Sequence, residues 1–206
     1  MKVPPEWFEP AIPSRQVALL EQLIGQTVVS MVRFSETQPE QLIKPHPELG
    51  HQSPLAPHQL FSLMPGPLAL SFDSGLEIAV GADEHCEISL DLRRHPNGEV
   101  SDYLFEEDPE YYPLSAADAR FCRPEIHQML GKRVLDVTLL RMDGAHFKKN
   151  RSFEMGLVLY VEHCPELVLS GGLTRGLDDF AVTLREEILP ENRRYLTEER
   201  LVTPQR

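Results

Sequence analysis

The sequence predicts an α+β fold: two similar halves, each a helix, a strand and a small antiparallel sheet, packed as one pseudo-two-fold domain, plus a C-terminal helix. Three observations predict it. A helical run closed by glycine and followed by an apolar strand occurs twice, at Gln22-Leu23-Ile24-Gly25 and at Gln128-Met129-Leu130-Gly131. The stretch F-D-S-G-L-E-I-A-V over 72–80 resembles F-E-M-G-L-V-L-Y-V over 153–161. That match continues, because Glu84-His85-Cys86 before Glu87 recurs as Glu162-His163-Cys164 before Glu166, and Leu90 aligns with Leu169. Repeats of this kind precede any other reading of a fold. They divide a single domain, 1–206, into copy one at 14–92, an acidic connector at 93–114, copy two at 115–170 and a helical segment at 171–206.

The elements follow in order. Residues 1–13 are proline-rich, and Trp7 and Phe8 pin them to the body. Ser14 is an N-cap for a helix whose Val17, Leu20, Leu23 and Ile24 share one face, and Gly25 ends it. Thr27 to Phe34 is β-branched and reads as a buried strand. Residues 35–60 hold five prolines and His46, His51 and His58, and read as a long loop. Leu68–Phe72 and Leu76–Val80 form a hairpin around Asp73-Ser74-Gly75, and Glu87–Leu92 alternates as a third strand.

In the second half, Pro124 opens a short helix that ends at Gly131. Val134–Leu140, Phe153–Val161 and Glu166–Leu169 read as strands, with a basic loop at 141–151 carrying Lys148, Lys149 and Arg151. Gly171-Gly172 breaks the chain. Asp178 or Asp179 then caps a helix with an apolar stripe of Phe180, Leu184 and Ile188, which Pro190 stops. A helical tail spans Tyr195 to Leu201.

The net charge is −12 over 206 residues. Phosphate neutralisation needs a basic face, so nucleic-acid binding is excluded, as is docking on anionic lipid. A basic protein partner is favoured by the opposite sign of field. Cys86, Cys122 and Cys164 are an odd, sparse set and form no disulfide framework. The start M-K-V-P-P-E-W-F-E-P has no apolar signal core, and no run approaches a membrane span, so the expected location is cytoplasmic.

No catalytic motif is present: there is no G-x-S-x-G, no H-E-x-x-H and no P-loop. The paired Glu-His-Cys segments hold good zinc ligands, yet neighbours on a strand point to opposite faces. A shared site would need Cys86 and Cys164, or His85 and His163, to meet between the halves. They read as hairpin ends with cysteine packed inward, and no metal or cofactor is expected. Gly171 to Gly176 faintly resembles a phosphate loop, but the acidic Asp178 and Asp179 would repel phosphate.

The connector carries the candidate site. Glu99, Asp102, Glu106, Glu107, Asp108 and Glu110 are six carboxylates, and Tyr103, Phe105, Tyr111 and Tyr112 are four aromatics, with no Lys or Arg among them. The carboxylates suit a cationic partner and the aromatics suit anchor positions. The competing reading is a solvated connection whose aromatics pack on the core.

An acidic chain of this size without enzymatic motifs is similar to the bacterial immunity proteins of toxin–immunity pairs, including those guarding against type VI or contact-dependent effectors. The similarity is one of general character over the whole chain and carries over no residue. It implies a tight stoichiometric complex with a basic toxin. A ligand- or metal-binding enzyme with a pocket between the halves is the alternative, and an adaptor or scaffold the next. A homodimer is compatible with each.

Overall fold

The computed structural model describes residues 3–43, 55–82, 86–102, 104–143, 153–174 and 180–200. Two five-stranded antiparallel sheets dominate it. The first contains β1 (Val28–Ser35), β2 (Leu68–Phe72), β3 (Glu77–Ala82), β4 (Ile88–Arg94) and β5 (Tyr112–Ser115), in the order β4-β3-β2-β1-β5. The second contains β6 (Val134–Met142), β7 (Phe153–Val161), β8 (Leu167–Gly171), β9 (Phe180–Leu184) and β10 (Leu196–Arg200), in the order β10-β6-β7-β8-β9. Each sheet is therefore a four-stranded meander whose fifth strand returns to pair with its first.

The domain is mostly β rather than α+β. Its helices are single turns: α1 (Val17–Glu21), α2 (Pro39–Leu42), α3 (Leu60–Leu63), α4 (Pro124–His127) and α5 (Pro190–Arg193). Proline opens α2, α4 and α5. Gly25 and Gly131, at φ +84° and +76°, turn the chain out of the helical runs that begin with α1 and α4. No described helix is long and apolar enough to cross a membrane.

The expected C-terminal helix is absent among the described residues. Phe180, Leu184 and Ile188 fit a helical stripe, but Phe180, Val182 and Leu184 fit a strand equally well. Non-local pairing decides between them: all five residues of β9 are buried and pair with β8. The tail expected to be helical from Tyr195 is β10, paired with β6. Asp178 and Asp179 lie outside the described residues, as do His46, His51, His85 and the basic residues Lys148, Lys149 and Arg151.

The sheets pack face to face. Leu68, Leu70, Ile78, Val80, Leu90 and Leu92 of the first meet Leu157, Leu159, Leu167, Leu169, Val182 and Leu184 of the second in one core. Leu20 and Leu23, beside Ile126 and Met129, close it. A second cluster, with Leu140, Met155, Val168, Leu173 and Ile188, lies on the outer face of the second sheet.

The two sheets are also joined at one end by four backbone hydrogen bonds. Gly25 N–H donates to Val134 C=O at 2.8 Å, and Gly131 N–H donates to Val28 C=O at 2.8 Å. Val28 N–H donates to Lys132 C=O at 2.9 Å, and Val134 N–H donates to Gln26 C=O at 2.9 Å. Each pair maps onto the other by a shift of 106 residues, as from Gly25 to Gly131. The same shift relates a bulge after Val28 to a bulge after Val134. The bulges push Val29 and Leu135 outward, 57% and 53% exposed.

Pairing also corrects the alignment of 72–80 with 153–161. Asp73-Ser74-Gly75 is the turn between β2 and β3, whereas 153–161 is one unbroken strand. Val28 pairs with Phe72 and Val134 with Val161, so β2 matches β7 and β3 matches β8. The match by residue type was one strand out, because apolar strands ending in acidic turns look alike.

Candidate functional site

The acidic stretch crosses the outer face of the first sheet, from the edge strand β4 to the opposite edge strand β5. Alternation along β1 and β4 builds its seat. Met31 and Leu92 face the core, so Phe34 and Arg93 face outward. Phe105 stacks on Phe34 with ring centroids 5.4 Å apart, and the Arg93 guanidinium lies 4.4 Å from the Phe105 centroid. Tyr111 meets the same ring edge-on at 5.5 Å. Phe105 is thus held on three sides by its own chain. Ala69 and Ala79, on the same sheet, are buried as well.

Polar contacts fix the rest. Arg94 Nη2 donates to Glu106 Oε1 at 2.7 Å, and its Nε lies 3.9 Å from Glu77. Asn97 Nδ2 donates to Glu99 Oε1 at 2.9 Å. Gln38 Nε2 donates to the Tyr112 hydroxyl at 3.1 Å. Glu110 N–H donates to Asp108 Oδ1 at 2.9 Å, which closes the turn after the 3-10 segment Phe105–Glu107. Beneath the crossover, Asp91 is 4% exposed and its Oδ2 lies 3.0 Å from Arg93 Nε. Burial pushes the Asp91 carboxyl up to about 6, against the pull of Arg93.

The predicted residues therefore divide by direction. Phe105, Tyr111 and Tyr112 are partly buried and engaged with the body, as the packing alternative anticipated. Tyr103 lies outside the described residues. Asp102, Glu106, Glu107 and Glu110 point to solvent. Asp102, Glu107, Asp108 and Glu110 line an open depression of about 490 Å³. Among the described residues, Asp102, Glu107 and Glu110 form no ion pair. Asp102 also borders a cleft of about 520 Å³ that runs past Asp91 and Arg93 to Pro5, Phe8 and Pro10. Chemically this is a concentration of negative charge over a packed aromatic seat, able to receive ammonium or guanidinium groups.

Residue-type reasoning missed the seat itself: Phe34, Asp91, Arg93 and Arg94. The one signal available was the Arg93-Arg94 pair directly before an acidic run that has no cation of its own.

Cys86 and Cys164 pack against different hydrophobic clusters, and Glu84 and His85 lie outside the described residues. Cys86, at φ +61°, packs against the end of β8, where a Cβ on Gly172 would lie 3.3 Å from its Sγ. Cys164 Sγ lies 3.8 Å from Gln128 C=O, beside the inter-sheet core. Burial raises the Cys164 thiol, and pushes Cys122 up to about 12. No group of three His, Cys, Asp or Glu among the described residues is arranged to hold a metal ion.

The outer face of the second sheet carries its own cleft, of about 440 Å³, between β6, the segment after β9 and β10. Arg185 spans its edge. Its Nη1 donates to Glu166 Oε2 at 3.0 Å and to the Tyr160 hydroxyl at 3.4 Å, and its Nη2 donates to Glu198. No family model, no curated protein and no solved structure matches the chain.

Proposed function

We propose that this protein is a non-catalytic binding protein of the immunity type, which neutralises a basic toxin or effector domain in a tight stoichiometric complex. The binding face is the acidic crossover, and the observation that carries the reading is its division of labour. Phe105 clamps the segment to Phe34 and Arg93, and Tyr111 packs on its ring. Among the described residues the outward carboxylates Asp102, Glu107 and Glu110 form no ion pair, although the charge of Arg94 reaches Glu107. A seat that holds outward-facing charge in place avoids the ordering entropy a mobile acidic loop would lose on binding. The net charge of −12 adds long-range attraction for a cationic partner.

We also infer that the two sheets are copies of one unit related by a pseudo-two-fold axis. The common strand order and the four reciprocal hydrogen bonds, all at one shift of 106 residues, support it.

The test is capture from source lysate in moderate salt, using tagged protein beside the triple variant D102K/E107K/E110K. The expected result is one basic protein at near-equal stoichiometry on the wild type and its loss on the variant, with an unchanged circular dichroism spectrum. Equal capture by both would remove the crossover as the binding face.

A further inference from the structure

The edge strand β4 is bordered on its outer side by two irregular segments. Ala11 N–H donates to Leu90 C=O at 3.1 Å and Leu90 N–H donates back to Ala11 C=O at 2.9 Å. Further along, Ser101 N–H donates to Arg93 C=O at 2.8 Å. Asp91 lies between these two attachments. The cleft of about 520 Å³ opens there, between the N-terminal segment and the start of the acidic crossover. Its size falls within the ~300–1,000 Å³ typical of binding clefts.

The N-terminal wall is fixed in place. Trp7 and Phe8 of the 3-10 turn Pro5–Phe8 pack on the inter-sheet core. The buried Gln16 donates its Nε2 to Glu6 C=O at 3.1 Å and to Glu9 C=O at 3.3 Å. Pro5 and Pro10 restrict the same stretch further. Phe8, Pro10 and Val100 give the cleft apolar sides, and Val100 is 43% exposed. Glu9 and Asp102 are exposed at its rim, and the buried Asp91 lines it from below.

Asp91 is the informative group. Its Oδ2 is buried, yet among the described residues it accepts no hydrogen bond: Arg93 Nε stands 3.0 Å away but is not aligned to donate. The Arg93 guanidinium lies over the Phe105 ring. Burial outweighs the pull of Arg93 on this carboxyl, which is left short of positive charge. A buried carboxylate oxygen without a donor is a place where a ligand's N–H groups are favoured. Three carboxylates border the cleft against the single guanidinium of Arg93.

We infer that this cleft receives one lysine side chain of the basic protein partner, its methylenes against Phe8, Pro10 and Val100 and its ammonium among Glu9, Asp91 and Asp102. The inference rests on the reading that such a partner engages the acidic crossover, and Asp102 borders both surfaces. An ammonium suits the place because its three donors can be shared among carboxylates carried by three separate segments.

The test is heteronuclear NMR on the full chain at neutral pH with three probes. They are an acetylated, amidated glycine pentapeptide with a central lysine, the same peptide with its lysine Nζ acetylated, and n-butylammonium. The expected result is saturable shifts at Asp91, Val100 and Ser101 from the lysine peptide and none from the acetylated one. Glu9→Gln should weaken the lysine peptide by about two- to fivefold. The Asp91 carboxyl should titrate at lower pH with the peptide bound, because a neighbouring ammonium favours its charged form. Equal binding of the acetylated peptide, an unmoved Asp91 titration, or butylammonium bound without the peptide would overturn the inference. No shift at the cleft, with capture still lost in D102K/E107K/E110K, would overturn it too and leave the crossover as the binding face. Cleft shifts with capture equal in wild type and that variant would instead fail the crossover reading, and with it the partner named here.

Discussion

The outer faces of the two sheets solve the same problem differently. Each lies beneath a segment that runs from the fourth strand to the fifth. On the first sheet that segment is long, acidic and aromatic, and it fills its own hollow with Phe105. On the second it is short and arginine-bearing, and a cleft remains beside Arg185. Matched strands therefore do not fix what an outer face presents. The length and composition of one crossover decide whether the face is sealed or keeps a cleft rimmed by charged residues.

The sharpest way to break this comparison is at Arg93 and Arg185. Arg93 and Asp91 are buried together, so Arg93→Met strands a carboxylate and should cost about 3 kcal/mol of stability near pH 8 by denaturant titration. Arg185 is more than a third exposed, and Arg185→Met should cost under about 1 kcal/mol. The pH dependence has a definite sign. The folded-state pKa of Asp91 is raised from 3.8 to about 6. Its contribution therefore favours the fold at acid pH and is lost as pH rises from about 4 to about 6. Below pH 6 the stranded carboxyl takes up a proton, so the gap between Arg93→Met and the wild type should narrow. A gap independent of pH would show that Asp91 is not the group exposed to the loss.

The two crossovers give the next contrast. Phe105→Ala removes a ring packed on Phe34, Arg93 and Tyr111 and should cost about 2 kcal/mol in denaturant melts. Leu196→Ala, at the edge of the open cleft, should cost less than half as much. Equal costs would mean that the crossover of the first sheet is not seated as described.

Gly25→Ala and Gly131→Ala bear on the matched ends. Both positions have positive φ with open space where a Cβ would go, so each substitution should cost about 1 kcal/mol through backbone strain alone. Near-equal shifts in thermal midpoint are expected, and a large inequality would show that the two ends are not matched.

Much of this frame was legible in the residues. β-Branched residues identified β1, the Asp73-Ser74-Gly75 turn identified β3 and apolar alternation identified β4, and glycine after a helical run located the starts of both sheets at Gly25 and Gly131. The rest was set by contacts distant in sequence. Phe180, Leu184 and Ile188 satisfy a helical period and Phe180, Val182 and Leu184 a strand period, and only pairing with β8 selects the strand. The same limit put the 72–80 match one strand out. In the acidic stretch, composition named the residues but not their directions. Those depend on Phe34 and Arg93, which are brought beneath Phe105 by sheet order alone.

The central claim is that Asp102, Glu107 and Glu110 form the face that engages a basic protein. The measurement that tests it most directly is calorimetric titration of the captured partner against wild type and D102K/E107K/E110K in the same moderate salt. The account predicts a loss of affinity on the order of 100-fold or more, with the thermal midpoint unchanged. An unchanged Kd would contradict it.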